Sequence, residues 1–395
     1  MKPAWVIGFS GHRHLARPDL ARAGIHVGLS RSKEKIERCG GQVHLFVSAA
    51  YGADLLAIEV AESLQIPVHI LLPKPLFFQE NGSISTSEGF GADYRDADGN
   101  LLESEWQRAH HWIQKAQRGD DGWTYRLVNG TQVDPECYYD AGVQVMEASD
   151  LFLAVWDRQP ARGLGGTAEM VEQAEKLRLP TILCDPLTGH FEEMRYEGFD
   201  PAADEGHKLM QSLLLNEPSC RANFEALDQR ANLHSQRFRN AVVKGIWLHA
   251  LATITAAVAA LLHGTSLAAA QWLACLALFE WILVAIAWMK MKSLSRGGIH
   301  QQWMRNRFAV ELMRALFGSI TLIDPMCPAV SRHKKEWQRF AVSAGLTLAA
   351  EPSERSTWQA ERDRYVHARL ESPQTGQIPH FLQKQEGFYK LKLLL

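Results

Sequence analysis

Three short segments rich in glycine and hydroxyl-bearing residues stand out in the first half of the chain. They are Gly8–Arg13 (GFSGHR), Ser48–Asp54 (SAAYGAD) and Gly163–Glu169 (GLGGTAE). Glycine lets the backbone approach an anion closely, and the free N–H groups at the start of a helix bind phosphate. Serine and threonine hydroxyls and an arginine add donors for the same anion. All three segments are therefore candidate anion-binding loops.

The candidate ligand-binding residues of these loops are Gly8, Ser10, Gly11, Arg13, Ser48, Gly52, Asp54, Gly165, Gly166, Thr167 and Glu169. Each loop alone also has an ordinary explanation. The first loop could be a tight turn with a surface arginine. In the second, Asp54 could cap its helix or be a first-turn acid, and the third could be a flexible glycine loop without a ligand. The third loop is not a Walker A motif, because no Gly-Lys-Ser/Thr follows it.

Short apolar runs precede the loops and must position them. The runs are Trp5–Phe9, Val43–Val47, Val68–Leu72, Leu151–Val155 and Thr181–Cys184, and segments of helical composition lie between them at Ala53–Gln65, Glu103–Gln117, Glu136–Ala148 and Thr167–Arg178. Nearly continuous apolar runs are typical of parallel strands buried on both faces. The alternation predicts an α/β fold with a doubly wound, mainly parallel, Rossmann-like sheet. The candidate loops then share the edge where its strands end, and the Gly-, Ser- and Asp-rich residues 74–100 form an insertion that covers it.

The composition changes after residue 220. Residues 245–263 contain no Lys, Arg, Asp or Glu, and residues 267–289 contain only Glu280. At 1.5 Å per residue the two segments extend ~28 and ~34 Å, against a bilayer hydrocarbon core of ~30 Å. We therefore predict an all-α membrane domain with a transmembrane hairpin whose spans are 245–263 and 267–289. The alternative is a buried helical hairpin in a large soluble bundle.

Basic residues flank the predicted hairpin at both ends. They are Arg237, Arg239 and Lys244 before it and Lys290, Lys292 and Arg296 after it, whereas the connection 264–266 is uncharged. The positive-inside rule then predicts that both termini are cytoplasmic. Glu280 is expected to face protein or water, because a carboxyl group in the bilayer costs at least ~2.5 kcal/mol. A pore lined by Glu280 is one explanation, and a hydrogen bond to His249 or a protonated Glu280 near the interface are the others.

The overall composition limits the partners. Lys and Arg number 42 against 44 Asp and Glu, so no basic excess suggests direct nucleic-acid binding. No two of the six cysteines are close enough to form a Cys-x-x-Cys pair, and the chain predicts neither a metal site nor a disulfide framework.

Residues 1–190 resemble the SLOG superfamily, the Rossmann-like fold of bacterial DNA-processing proteins and Lonely Guy nucleotide hydrolases. The resemblance rests on Gly8–Arg13, on Ser48–Asp54 with Leu56-Ala57, and on Asp150–Asp157 running into Gly165-Gly166-Thr167. It implies that the loops bind a nucleotide or a nucleotide-derived molecule, with no other cofactor. In the hydrolases a glutamate of a PGGxGTxxE motif acts on the N-glycosidic bond. Here Leu164 replaces the proline and Glu169 is one position early, which turns a helical side chain by ~100°, so binding is expected rather than hydrolysis.

Residues 221–395 are similar to the SLATT family of two-span membrane effectors, with 191–220 expected as a linker. The similarity rests on Trp303, Arg305, Arg307, Glu311, Arg314, Tyr365 and Arg369-Leu370. Together the resemblances imply a homo-oligomeric sensor–effector of bacterial anti-phage defence. Its cytosolic domain would sense a nucleotide, and its hairpins would permeabilise the inner membrane. The alternatives are a membrane-anchored hydrolase of the Lonely Guy type with Glu169 catalytic, and a passive anchored scaffold.

Overall fold

A computed structural model describes residues 1–79, 83–96, 98–128, 133–161, 163–217, 219–261, 267–296, 298–319 and 335–350, with the single residues Asp363, Val366, His367 and Glu371. The described chain forms two compact units. The first contains Met1–Cys220 and the described residues from Leu316 onward, and the second is Arg221–Ala315.

The first unit is built on a sheet that has seven strands within the described residues. They are β1 Ala4–Gly11, β2 Gln42–Val47, β3 Val68–Leu72, β4 Thr124–Leu127, β5 Leu151–Val155, β6 Thr181–Cys184 and β7 Phe191–Met194. The spatial order is β4-β3-β2-β1-β5-β6-β7. All neighbours are parallel except β7, which runs antiparallel to β6. The prediction of a mainly parallel α/β sheet is confirmed.

Helices cover both faces of this sheet. They are α1 Pro18–Glu37, α2 Ala53–Ser63, α3 Glu103–Arg118, α4 Glu136–Glu147, α5 Thr167–Lys176 and α6 Glu205–Ser212. Side chains alternate along β1, so that Trp5, Ile7 and Phe9 pack with α1, α2 and α3 in one core. The intervening Ala4 and Val6 pack against α4 in the second core. This two-sided burial explains why the central strands are apolar almost throughout.

Three helices make up the second unit, α7 Cys220–Leu261, α8 Leu267–Arg296 and α9 Ile299–Ser319. The charged first half of α7 pairs with α9. Arg307 lies 3.4 Å from Asp228, and the ring of Phe238 stacks on Trp303 with centroids 6.2 Å apart. The apolar second half of α7 continues the same helix without a break.

One helix among the described residues is long and apolar enough to cross a membrane, judged by length and composition. It is the segment Cys220–Val258 of α7, and only 17% of its most apolar window is buried within the protein. A shorter apolar stretch, Ala274–Met289, lies in α8. The predicted second span therefore stays a prediction, and the connection between the spans lies outside the described residues.

The two polar groups expected inside the hairpin are in different environments. Glu280 is half-buried on the face of α8 that also carries the buried Leu283 and Ala287. His249 on α7 is exposed. No hydrogen bond joins the two described side chains, so the structure does not contain the His249–Glu280 pair that the sequence leaves open.

The first unit extends beyond residues 1–190, the bounds that the sequence predicts for the α/β domain. The segment 191–220, expected as a linker, contributes β7 and α6 to the α/β unit. The last described helix, α10 Lys335–Ala350, falls in the range expected for the second domain but packs on β1 and α6. β7 and α6 are short and carry few apolar residues, so composition alone does not separate them from loops. For α10 the sequence does predict a helix, at residues 332–343, and only its packing against the α/β unit is unexpected. The sequence also predicts helices at 358–370 and 378–395. Except for Asp363, Val366 and His367, these residues lie outside the described part of the chain.

Candidate functional site

A cavity of about 350 Å³ lies at the carboxyl edge of the sheet, where the parallel strands end. It opens beside β1 and β5, which are neighbours in the sheet although three strands separate them in sequence. The chain moves outward from β1 in one direction through β2 to β4, and in the other from β5 to β7. Open α/β sheets bind ligands at such a switch point, and the volume lies in the range of small-molecule sites.

All three candidate loops contribute to the cavity. Eight of the eleven predicted ligand-binding residues line it, namely Ser10, Gly11, Arg13, Ser48, Asp54, Gly165, Gly166 and Thr167. The sheet explains the convergence, because β1, β2 and β5 are adjacent and parallel and their following loops must meet at one edge.

The other three predicted residues lie behind the lining. Gly8 is inside β1, where a Cβ atom would overlap the hydroxyl of Ser149. Gly52 has a φ of +89° and its missing Cβ makes room for the carbonyl oxygen of Arg13. Glu169 is outside the lining, and its Oε2 accepts a hydrogen bond from the N–H of Gly165 at 2.7 Å. These three residues shape the loops and do not line the cavity, and their role in ligand binding stays a prediction.

His12 fastens the first loop to its neighbours. Its N–H donates to the carbonyl of Val155 at 3.3 Å, and its carbonyl accepts from the N–H of Ala53 at 3.0 Å. Its Nε2 lies 2.8 Å from Asp157 Oδ1 and 3.1 Å from the Asp157 N–H. A protonated Nε2 donates to the carboxylate, whereas an unprotonated one accepts from the N–H. In either form His12 holds the loops after β1 and β5 together.

Arg13 is held between two tyrosine rings. Its Cζ lies 5.5 Å from the centroid of Tyr51 and 5.0 Å from that of Tyr138, within cation–π range. Burial alone would lower the pKa of Arg13, but the neighbouring tyrosines help to hold it above its usual value. No described carboxylate forms an ion pair with this guanidinium. Its positive charge is therefore available to an anion in the cavity.

Three hydroxyls in the lining, those of Ser10, Ser48 and Thr167, have no hydrogen-bond partner among the described residues. Thr167 also begins α5, whose first N–H groups have no partner within the helix. The N–H groups of Gly165 and Gly166 are already bonded, to Glu169 and to the carbonyl of Gly163. The free donors thus lie at Thr167 and the following residue, at the positive end of the α5 dipole.

Asp54 is a buried carboxyl group in the same lining. Its Oδ2 accepts a hydrogen bond from the N–H of Ala50 at 3.2 Å, so it braces the loop before α2. It lies in the first turn of α2, and no side chain caps that helix. Burial raises the pKa of Asp54 to about 7, against the opposing effects of that hydrogen bond and of nearby Arg13. The cavity therefore has a carboxyl whose charge changes near neutral pH.

The insertion after β3 forms one wall of the cavity through Phe90, Asp93 and Tyr94. The hydroxyl of buried Tyr94 donates to the carbonyl of Ala49, which joins this wall to the loop after β2. The sequence does not predict that Asp93, Tyr94 and Tyr138 belong to the site, because the insertion and α4 carry no recognisable motif. His12 and Tyr51 lie inside the recognised loops, and their aromatic and titratable side chains were a usable signal.

A scan against protein-family models finds no match to this chain, and a search of curated proteins finds none either. The chemistry of the site is therefore the guide to what this protein binds. Its free hydroxyls, its arginine and the start of α5 form an arrangement suited to binding an anion.

Proposed function

We propose that this protein is a membrane-bound sensor–effector. Its α/β unit binds a nucleotide or nucleotide-derived signal and controls a two-span domain that oligomerises and permeabilises the bacterial inner membrane in anti-phage defence. The observation that carries the proposal is the cavity at the sheet's switch point, where Arg13 and three unpartnered hydroxyls converge. The SLOG-like and SLATT-like sequence features support it.

The second unit supports the membrane part of the proposal. The apolar half of α7 leaves large side chains uncovered by the described chain, among them Ile246, Trp247 and Ile254. A surface of this kind is normally covered by lipid or by protein. Lys292 lies 4.2 Å from the ring centroid of Trp288, an arrangement suited to the interface of a bilayer. In the proposed topology both termini are cytoplasmic.

A bound signal controls the membrane domain only if it favours one conformer over another. The nucleotide must therefore bind the permeabilising state more tightly than the resting state, or the reverse if it restrains the effector. A hundredfold preference corresponds to about 2.7 kcal/mol, which is within reach of a few charge-assisted hydrogen bonds.

Dye release from liposomes tests the proposal. The full-length protein is reconstituted, common nucleotides are added one at a time, and the nucleotide is analysed by chromatography after each run. Release that depends on an unchanged nucleotide is the expected result. Turnover without release would instead establish the anchored hydrolase, although the bond between Glu169 and Gly165 opposes that role. If no nucleotide binds or changes release, the sensor–effector proposal is wrong.

Two pairs of measurements locate the two activities within the chain. Arg13→Gln should abolish the nucleotide response, whereas Arg17→Gln, at an exposed arginine paired with Asp19, should keep it. Glu280→Gln should change conductance if this half-buried carboxyl lines the pore. Unchanged conductance and toxicity in Glu280→Gln would remove the pore-lining role but leave nucleotide binding intact.

A further inference from the structure

Asp93 is a nearly buried carboxylate in the cavity wall, with 11% of its side chain exposed. Its Oδ1 accepts a hydrogen bond from Lys74 Nζ at 2.6 Å. Its Oδ2 is buried and has no hydrogen-bond partner among the described residues. A buried acceptor without a partner costs free energy, and native proteins retain few of them. This oxygen therefore needs an explanation.

Lys74 fixes the position of Asp93 without using its second oxygen. The ammonium also donates to Asp134 Oδ2 at 2.7 Å and lies 5.0 Å from the centroid of Tyr138. Burial alone would lower the pKa of Lys74, but its bonds to Asp134 and Asp93 outweigh that effect and raise it. One ammonium thus faces two carboxylates and leaves Oδ2 of Asp93 without a donor.

Other residues of the same lining offer hydrogen-bond donors and positive charge instead of an acceptor. Arg13, the hydroxyls of Ser10 and Ser48, and the start of α5 at Thr167 offer donors and positive charge. A ligand that satisfies the whole cavity must carry an anionic group and, separately, a neutral hydrogen-bond donor. Inorganic phosphate has no neutral donor group separate from its anionic one. A nucleotide has donors in its ribose hydroxyls and, in some bases, an exocyclic amine.

We propose that Asp93 is a specificity residue that accepts a hydrogen bond from a neutral donor of the nucleotide, a ribose hydroxyl or a base amine. The inference rests on the proposed nucleotide-binding function and deepens it. The site then rejects analogues without that donor, because their binding would leave Oδ2 buried and unpaired. It also rejects a ribose phosphorylated at that hydroxyl, since the added charge would face a carboxylate.

Calorimetric titration of the full-length protein in detergent tests the inference. The probes are the four ribonucleoside 5′-diphosphates, their 2′-deoxy and 3′-deoxy forms, and inosine diphosphate, which lacks the exocyclic amine. A loss of about tenfold or more in affinity for the deoxy forms assigns the donor to the ribose. The same loss for inosine diphosphate relative to adenosine diphosphate assigns it to the base.

Asp93→Asn is the decisive variant and Asp134→Asn its matched control. Both remove one carboxylate from Lys74, but Asp134 is more than half exposed and lies outside the cavity lining. Asp93→Asn should weaken binding of the preferred nucleotide about tenfold or more and abolish the discrimination, whereas Asp134→Asn should bind like wild type.

Equal affinity of the wild-type protein for all probes would overturn the inference but would not contradict nucleotide binding. This comparison uses the wild-type protein alone. Wild-type affinity and discrimination in a folded Asp93→Asn would overturn it as well. If wild type binds none of the nucleotides, the proposed function itself fails and the role of Asp93 fails with it.

Discussion

Asp54 couples the loop after β2 to pH. Its folded pKa of about 7 is above the ordinary value of 3.8, because the carboxyl group is buried. The folded state then binds the proton more tightly than the unfolded state, so stability falls as pH rises from about 4 to about 7 and is constant above that. Ionised Asp54 is the destabilising form.

Asp54→Asn should therefore stabilise the protein in a pH-dependent manner. We expect its advantage in unfolding free energy over wild type to grow by about 2 kcal/mol between pH 5 and pH 7 and then to level off. Thermal or urea unfolding at several pH values measures the difference. Asp98→Asn, at an exposed carboxylate, should show a constant difference. Parallel curves for Asp54→Asn and wild type would contradict the assignment.

Gly52 is needed for space as well as for backbone conformation. A Cβ atom there would collide with the carbonyl oxygen of Arg13, at a φ of +89°. Gly40 is a matched control, because its φ is +83° but open space surrounds it. Both Gly→Ala changes incur about 1–2 kcal/mol for the left-handed backbone.

Gly52→Ala should cost about 1–3 kcal/mol more than Gly40→Ala, because it also forces the backbone of Arg13 to move. Comparison of the two midpoints in thermal unfolding measures the extra cost. Nucleotide affinity should fall in Gly52→Ala alone, since Arg13 is displaced. Equal stability and equal affinity of the two variants would show that the loop accommodates the Cβ atom without displacing Arg13.

At the scale of elements, α10 is joined to the α/β unit by Arg339. This side chain, 9% exposed, donates to Asp150 Oδ1 at 2.9 Å and to Asp204 Oδ1 at 2.7 Å, and its Cζ lies 3.3 Å from the ring centroid of Trp5. The docked helix therefore covers the start of β1, at the opposite end of the strand from the cavity.

Arg339→Ala should leave two carboxylates without their charged partner and cost about 3–5 kcal/mol. At about 2–4 °C per kcal/mol for a unit of this size, Tm should fall on the order of 10 °C. Differential scanning calorimetry measures the shift. Arg38→Ala, which breaks an exposed pair with Glu34, should leave Tm nearly unchanged. A similar small change in both variants would mean that the ion pairs of Arg339 add no stability.

The sequence predicts the sheet well where burial is two-sided. All five predicted strands are present, as β1, β2, β3, β5 and β6. They are predictable because their residues are apolar enough to indicate buried strands without tertiary information. Short strands β4 and β7, and α6, depend on packing partners, so their own residues carry little pattern. The loops of the site follow from glycine and hydroxyl spacing. Asp93 and Tyr138 reach it only through the fold of the insertion and α4.

At the scale of the whole molecule, the near-neutral net charge of −2 hides a sharp internal contrast. The α/β unit buries its apolar residues in its own cores, whereas the second half of α7 leaves them uncovered by the described chain. Lipid insertion and a protein partner are two ways to cover that surface. The two explanations predict different effects on membrane association for a single lysine at the centre of the predicted span.

Ile254 lies midway along the span 245–263 and is 60% exposed, while Leu177, at the end of α5, is 57% exposed. A lysine at the centre of a membrane helix costs about 2.5–3.5 kcal/mol, close to a hundredfold in partitioning. Ile254→Lys should therefore reduce the fraction that floats with liposomes after an alkaline carbonate wash, and Leu177→Lys should not. If the carbonate wash released the wild-type protein from the liposomes, insertion into the bilayer would be contradicted. Equal flotation of Ile254→Lys and wild type would remove the first half of the hairpin from the bilayer.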